Sequence, residues 1–271
     1  MSSNASSNAH AQELQNGDRY EFGANWSRFL STLNEEKIRE AEESLKRMLE
    51  LPDLKGRTFL DIGSGSGLFS LAARRLGASV TSFDYDPQSV ACTQTLKQRY
   101  FPQDAHWTVG EGSVLDRDYM DSLGSFDIVY SWGVLHHTGQ QWLALENAAR
   151  ATHAGSKLFI ALYNQQGLAS RYWTVVKRIY NKFKVTRPLL FVIHAIYPAL
   201  PSAALKWFRG QRYGRGMNPW HDLHDWLGGY PFEVSSPEEV FYFYKKLGFR
   251  LEMLRTVRGK MGCNEFVFQR S

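Results

Sequence analysis

The chain has 271 residues, 43% hydrophobic and 22% charged, enough to bury the core of one large domain and unlike a low-complexity polymer. Its only cysteines, Cys92 and Cys263, lie far apart, which excludes a disulfide framework or a CxxC metal knuckle and suits a reducing, cytoplasmic compartment. The net charge of +5 is local: residues 165–216 hold ten Lys or Arg and no Asp or Glu, and removing those ten from the 32 basic residues leaves 22 against 27 acidic.

Residues 1–17 are rich in Ser, Asn and Ala with no apolar run, and are expected as a disordered tail rather than a secretory signal. Residues 18–54 read as an N-terminal helical cap, in which YEFGANWSRFL (20–30) leads into a charged helix, NEEKIREAEESLKRMLE. Residues 55–164 alternate strand and helix. Arg57 to Asp61 is an apolar strand and Leu68 to Leu76 a helix. Ala78 to Phe83 is a second strand, and Asp86-Pro87 opens a helix as N-cap and first-turn proline. His106 to Val109, Phe126 to Tyr130 and Lys157 to Leu162 make three more strands, with a helix from about 140 to 151 before the last. Such alternation predicts a Rossmann-like α/β fold, a parallel sheet covered on both faces.

Residues 165–235 form a basic, aromatic helical insertion: apolar residues recur with helical period from Leu168 to Phe183, followed by the uncharged run PLLFVIHAIYPALPSAAL (188–205). In residues 236–271, Ser236-Pro237-Glu238-Glu239 is a capping box that starts the last helix. Phe249 to Val257 and Glu265 to Gln269 flank a short turn at Arg258-Gly259-Lys260, too short for a crossover, so they predict an antiparallel hairpin.

FLDIGSGSGL (59–68) carries the chemistry. Gly63, Gly65 and Gly67 give GxGxG where a dinucleotide turn would read GxGxxG, and Asp61 stands two residues before the first glycine. A carboxylate there repels a pyrophosphate and suits an ammonium group, which disfavours a nicotinamide-dependent oxidoreductase. Asp84, ending the second strand, is placed to accept from both ribose hydroxyls, and Tyr85 offers a flat surface to adenine. The pattern describes an adenosine with a cationic amino-acid tail.

With these motifs the chain resembles the class I S-adenosylmethionine-dependent methyltransferases. FDIVYSWGVLHHT (126–138) is similar to the segment after strand four in their small-molecule members, among them the ubiquinone-biosynthesis O-methyltransferases. The resemblance covers about 55–164 and 236–271 and implies S-adenosyl-L-methionine as cofactor. It places Gly63, Ser64, Gly65 and Gly67 near the methionyl part and Asp84 on the ribose, with Asp61 and Ser131 among the cofactor contacts. Tyr85, Gly112 and Ser113 fall around the adenine, although Ser113 stands where many members have aspartate.

For a hydroxyl acceptor the protein must remove a proton, and His136 and His137, just beyond strand four, are the candidate bases; either could equally cap a helix or pack below the cofactor. Trp26 from the cap, Trp132, and His221, His224 and Trp226 from the insertion are the candidate acceptor contacts. His221 and His224 share a helix face, but methyl transfer needs no metal and none is expected. The insertion admits three readings: a lid, a lid that also lies in an anionic membrane surface through 165–216, or a phosphate contact on nucleic acid. The last is disfavoured, because no DPPY or NPPY follows strand four, where Ser131-Trp132-Gly133-Val134 stands. The expectation is an enzyme methylating an oxygen, less readily a nitrogen, of a small or lipid-linked acceptor, cytoplasmic or peripheral on the inner membrane face. An inert adenosyl-ligand-binding domain docked on membrane is the rival outside enzymes.

Overall fold

The structure, a computed structural model, describes residues 2–194 and 226–271. Three helices, α1 (Ser2–Asn16), α2 (Gly23–Ser31) and α3 (Glu35–Leu49), precede β1 (Thr58–Ile62) and α4 (Leu68–Arg75). Then come β2 (Ser79–Asp84), α5 (Pro87–Tyr100), β3 (Trp107–Glu111), α6 (Arg117–Ser122), β4 (Phe126–Trp132), α7 (Gln141–Arg150) and β5 (Thr152–Tyr163). After α8 (Leu168–Lys182) the described chain ends with α9 (Pro237–Lys246), β6 (Phe249–Arg255) and β7 (Cys263–Arg270).

Seven strands form one sheet in the order β3-β2-β1-β4-β5-β7-β6. The first five are parallel, and β7 runs antiparallel to both β5 and β6. Period-2 alternation sends neighbouring residues to opposite faces. Leu60, Val129, Leu158 and Phe266 pack with α7 and α9 on one face. Phe59, Ile128, Phe159 and Val267 pack with α3, α4 and α5 on the other. Local signals set the helix starts as expected: the Asp86 side chain accepts from the Gln88 N–H at 2.9 Å, and Ser236 and Glu239 form the reciprocal capping box.

The structure departs from expectation at two places. Residues 1–17 are not a free tail, because residues 2–16 are helical as α1. The physical reason is distant: the His10 ring meets Tyr85 edge-on at 5.2 Å, and the Tyr85 hydroxyl donates to Glu13 at 3.4 Å. Helix α6, capped by Asp116, was not anticipated; it spans six residues, too short for periodicity to register. In the insertion, α8 matches the helical period, a 3-10 turn follows at Lys184–Thr186, and residues 187–194 are helical. The uncharged run continues outside the described residues, and no described helix is long and apolar enough to cross a membrane.

Candidate active site

The turn between β1 and α4 sits at the carboxyl end of the sheet, where the Gly63 and Ser64 N–H groups both donate to the Phe83 carbonyl at 2.9 and 3.0 Å. Gly63 has φ +75°, and a Cβ there would stand 2.4 Å from Val134. Gly65 has φ +54°, and a Cβ there would meet the Trp26 ring at 3.0 Å. The chain therefore needs glycine twice, for backbone conformation and for close approach. The Asp84 carboxylate completes the turn, with Oδ2 accepting from the Gly65 N–H at 2.9 Å and Oδ1 from the Asp86 N–H at 3.0 Å.

This turn opens on a cavity of about 690 Å³, a size that suits a small-molecule site. Asp61, Gly63, Ser64, Gly65, Asp84, Tyr85, Gly112, Ser113, Trp26, Trp132 and His137 all line it. Some of these have structural work as well. Ser64 Oγ is 2.9 Å from Thr93 Oγ1, and Trp132 Nε1 donates to Glu265 at 3.0 Å. Trp26, on the cavity wall, also roofs the glycine turn. The Tyr85 ring, expected against adenine, carries the Arg19 guanidinium 4.8 Å from its centroid.

Four expected site residues lie elsewhere. Gly67 does not line the cavity; a Cβ there would come within 2.9 Å of the Thr93 backbone, so its glycine serves the packing of α4 on α5. Ser131 is fully buried and donates to the Ile62 carbonyl at 2.9 Å, bracing β4 on β1. Trp226 packs on Tyr163, Trp173 and Phe232, away from the cavity wall, with the Lys177 ammonium 4.1 Å above its ring. His136 is fully buried against Tyr163, ring centroids 4.0 Å apart, and is absent from the wall. His221 and His224 lie outside the described residues.

The two adjacent histidines, both on the 3-10 turn Leu135–His137, thus lie in different surroundings. His136 packs in the interior, where burial, helped by His137 and Lys177, drives its pKa well below the usual range. His137 faces the cavity, and its Nδ1 donates to the Pro231 carbonyl at 2.6 Å. That tautomer leaves Nε2 as an acceptor. Burial is the main cause that lowers the His137 pKa to about 3, so its imidazole stays neutral at any working pH.

Sequence motifs missed one group of wall residues. His10, Glu13 and Arg19 line the cavity from the N-terminal segment, and Arg19 also donates to the His137 carbonyl at 3.2 Å. Only their contacts with Tyr85 and His137, about seventy and more residues away in sequence, reveal them.

Residues 60–160 match the family model described as a methyltransferase domain. They are a class I methyltransferase domain. A ubiquinone biosynthesis O-methyltransferase of Caulobacter vibrioides is 31% identical over 117 residues, 41% of this chain and 42% of that protein. A ribosomal protein L11 methyltransferase of Bacillus cereus is 31% identical over 117 residues, 38% of this chain and 37% of that one. The chain thus spans less than half the length of these curated relatives. Among solved structures, the magnesium protoporphyrin IX methyltransferase of Synechocystis PCC 6803 with bound SAH superposes with a TM-score of 0.53 at 14% identity, covering 86% of this chain and 83% of that one. The likeness extends the class I fold of the methyltransferase domain to the hairpin of β6 and β7.

The cradle of this methyltransferase domain fits S-adenosylmethionine. The turn brings the Gly63 and Gly65 backbone to the cavity, and the Asp61 and Asp84 carboxylates stand beside it. Burial is the leading cause that pushes the Asp61 carboxyl up to about 7 and the Asp84 carboxyl up to about 6. Asp61 accepts from Ser70 Oγ at 2.5 Å, which offsets part of that shift.

A pH dependence follows. Both carboxyls accept hydrogen bonds best when ionised, and the raised pKa values leave them partly protonated below pH 6 to 7. Affinity for S-adenosylhomocysteine should therefore rise from pH 5.5 to 8, by up to about tenfold per unit below the pKa of each group. His137, titrating near 3, does not contribute in that window. Calorimetry across the range measures it, and Asp84→Asn should flatten the lower part of the curve. A flat profile in the parent protein would remove both carboxylates from donor binding.

Proposed function

We propose that the protein transfers a methyl group from S-adenosylmethionine to an oxygen atom of a small or lipid-linked acceptor. Bound in the cradle, S-adenosylmethionine supplies an activated methyl on sulfur; the chain's own residues position the acceptor, exclude water and take up a proton. The observation that carries the oxygen is His137: its Nδ1 proton is committed to the Pro231 carbonyl, so Nε2 can accept only from the cavity side. With S-adenosylmethionine held in the cradle, Nε2 of His137 would take up the acceptor's hydroxyl proton. Burial, which holds His137 neutral beforehand, also makes its imidazolium costly, so the proton moves only together with the methyl.

One relative is a ubiquinone biosynthesis O-methyltransferase and another a ribosomal protein L11 methyltransferase, so only the first supports an oxygen acceptor. A neutral amine would carry its own lone pair and would not need Nε2. The test is labelled-methyl transfer from S-adenosylmethionine to fractionated cell extract, with the product's bond to methyl identified by mass spectrometry. A labelled ether or ester supports the proposal. A labelled amine overturns the oxygen, and no labelled product with intact donor binding overturns the activity.

A further inference from the structure

The basic insertion has two faces, and only one is covered. Inward, Val176 and Tyr180 of α8 pack with Leu227. Outward, Leu168, Tyr172 and Val175 recur along one stripe of the same helix and are exposed, Leu168 by 79%. The helical stretch 187–194 lies beside α8, tied to it by the Tyr172 hydroxyl at 2.8 Å from His194 Nε2 and by Arg187 donating to the Tyr180 carbonyl at 3.0 Å. It adds Leu189, Val192 and Ile193 at helical spacing to the exposed side, Leu189 by 63%. Phe183 and Val185, the latter 86% exposed, bridge the two.

Single exposed apolar side chains are ordinary, but a continuous set on two joined helices marks a contact surface. The charges around it identify the partner. Arg171, Arg178, Lys182 and Lys184 are exposed among these residues, and no acidic residue occurs from 165 to 216. An apolar stripe edged only by cations fits a surface that is apolar inside and anionic outside. Lys and Arg stems can lie along the apolar surface while their charges reach headgroups.

We infer that this face of α8 and residues 184–194 docks in the plane of an anionic lipid surface. The contact is peripheral: no described helix is long and apolar enough to cross a membrane. It stands on the insertion's outer face alone, whatever the acceptor of the cavity.

The test is flotation of the full chain with vesicles of phosphatidylcholine alone and of phosphatidylcholine mixed with phosphatidylglycerol. The protein should float with the mixed vesicles at low salt and about tenfold less with the neutral ones. Added salt should loosen it only in part, because the apolar contribution is not screened. Arg178→Glu with Lys182→Glu, and separately Val175→Asp with Leu189→Asp, should each abolish flotation and leave S-adenosylhomocysteine affinity unchanged, which shows the variants folded. Failure to float on either vesicle overturns the inference, as does equal flotation on both. Parent-like flotation of the Val175→Asp, Leu189→Asp variant also overturns it. If vesicles leave the protein behind while that variant breaks a dimer seen by light scattering, the face is an interface between copies of the chain.

Discussion

Asp84→Ala is expected to weaken S-adenosylhomocysteine binding by about a hundredfold. Charge-assisted hydrogen bonds to ribose hydroxyls contribute roughly 1.5–3 kcal/mol, or about ten- to 150-fold. In this protein the same carboxylate also accepts from the Gly65 N–H at 2.9 Å and the Asp86 N–H at 3.0 Å. Its removal releases the glycine turn as well as the ribose, so the loss should fall in the upper part of that range. Asp84→Asn keeps one carbonyl oxygen and loses the charge, and should bind with intermediate affinity. Calorimetry measures both, with thermal denaturation of the unliganded variants as the control for folding. Affinity within threefold of the parent in the alanine variant would place the ribose elsewhere in the cavity.

His137→Asn is expected to lower turnover by about a hundredfold while donor affinity changes little, the signature of a lost proton acceptor. The neighbouring His136→Asn should behave differently. That ring is fully buried on Tyr163 and His137, outside the cavity wall, and its nitrogens form no well-aligned hydrogen bond among the described residues. Its loss should reduce stability by about 1–3 kcal/mol, a packing and desolvation effect, with turnover of the folded fraction preserved. The pH dependence separates the roles further. A His137 held at about 3 is neutral throughout pH 6 to 9, so turnover with saturating donor should show no step near 6.5. The same lowering has a sign for folding: the unfolded state takes up a proton near 6.5 that folded His137 does not, so its contribution to stability is present above 6.5 and fades as pH falls toward 3. Equal turnover in parent and His137→Asn, with chemistry shown to be the slow step, would exclude His137 as the base.

The amino-acid sequence by itself determined what depends on near neighbours. Short apolar runs made β1 to β5, the capping box placed α9, and the short turn between the last two runs made the hairpin of β6 and β7. The GxGxG turn and the acidic end of β2 were legible because a left-handed backbone needs glycine and a strand end projects its side chain at the ligand. The tertiary structure decided which member of each motif does what. Gly65 reaches the cavity while Gly67 packs on α5, because a Cβ at Gly67 would meet the Thr93 backbone whereas one at Gly65 would meet the Trp26 ring. His136 and His137 are adjacent in sequence, yet one tight turn sends the first into an aromatic interior and the second into the cavity. A Ser- and Asn-rich stretch with no local case for order became α1 through His10 and Glu13 meeting Tyr85. Periodicity showed that α8 is helical, but apolar residues occur on two of its sides, and only packing could show that Val176 is covered while Val175 is not. Conformational preference is a property of a few consecutive residues, whereas burial, desolvation and hydrogen-bond partners come from segments far along the chain, and the roles of site residues rest on those.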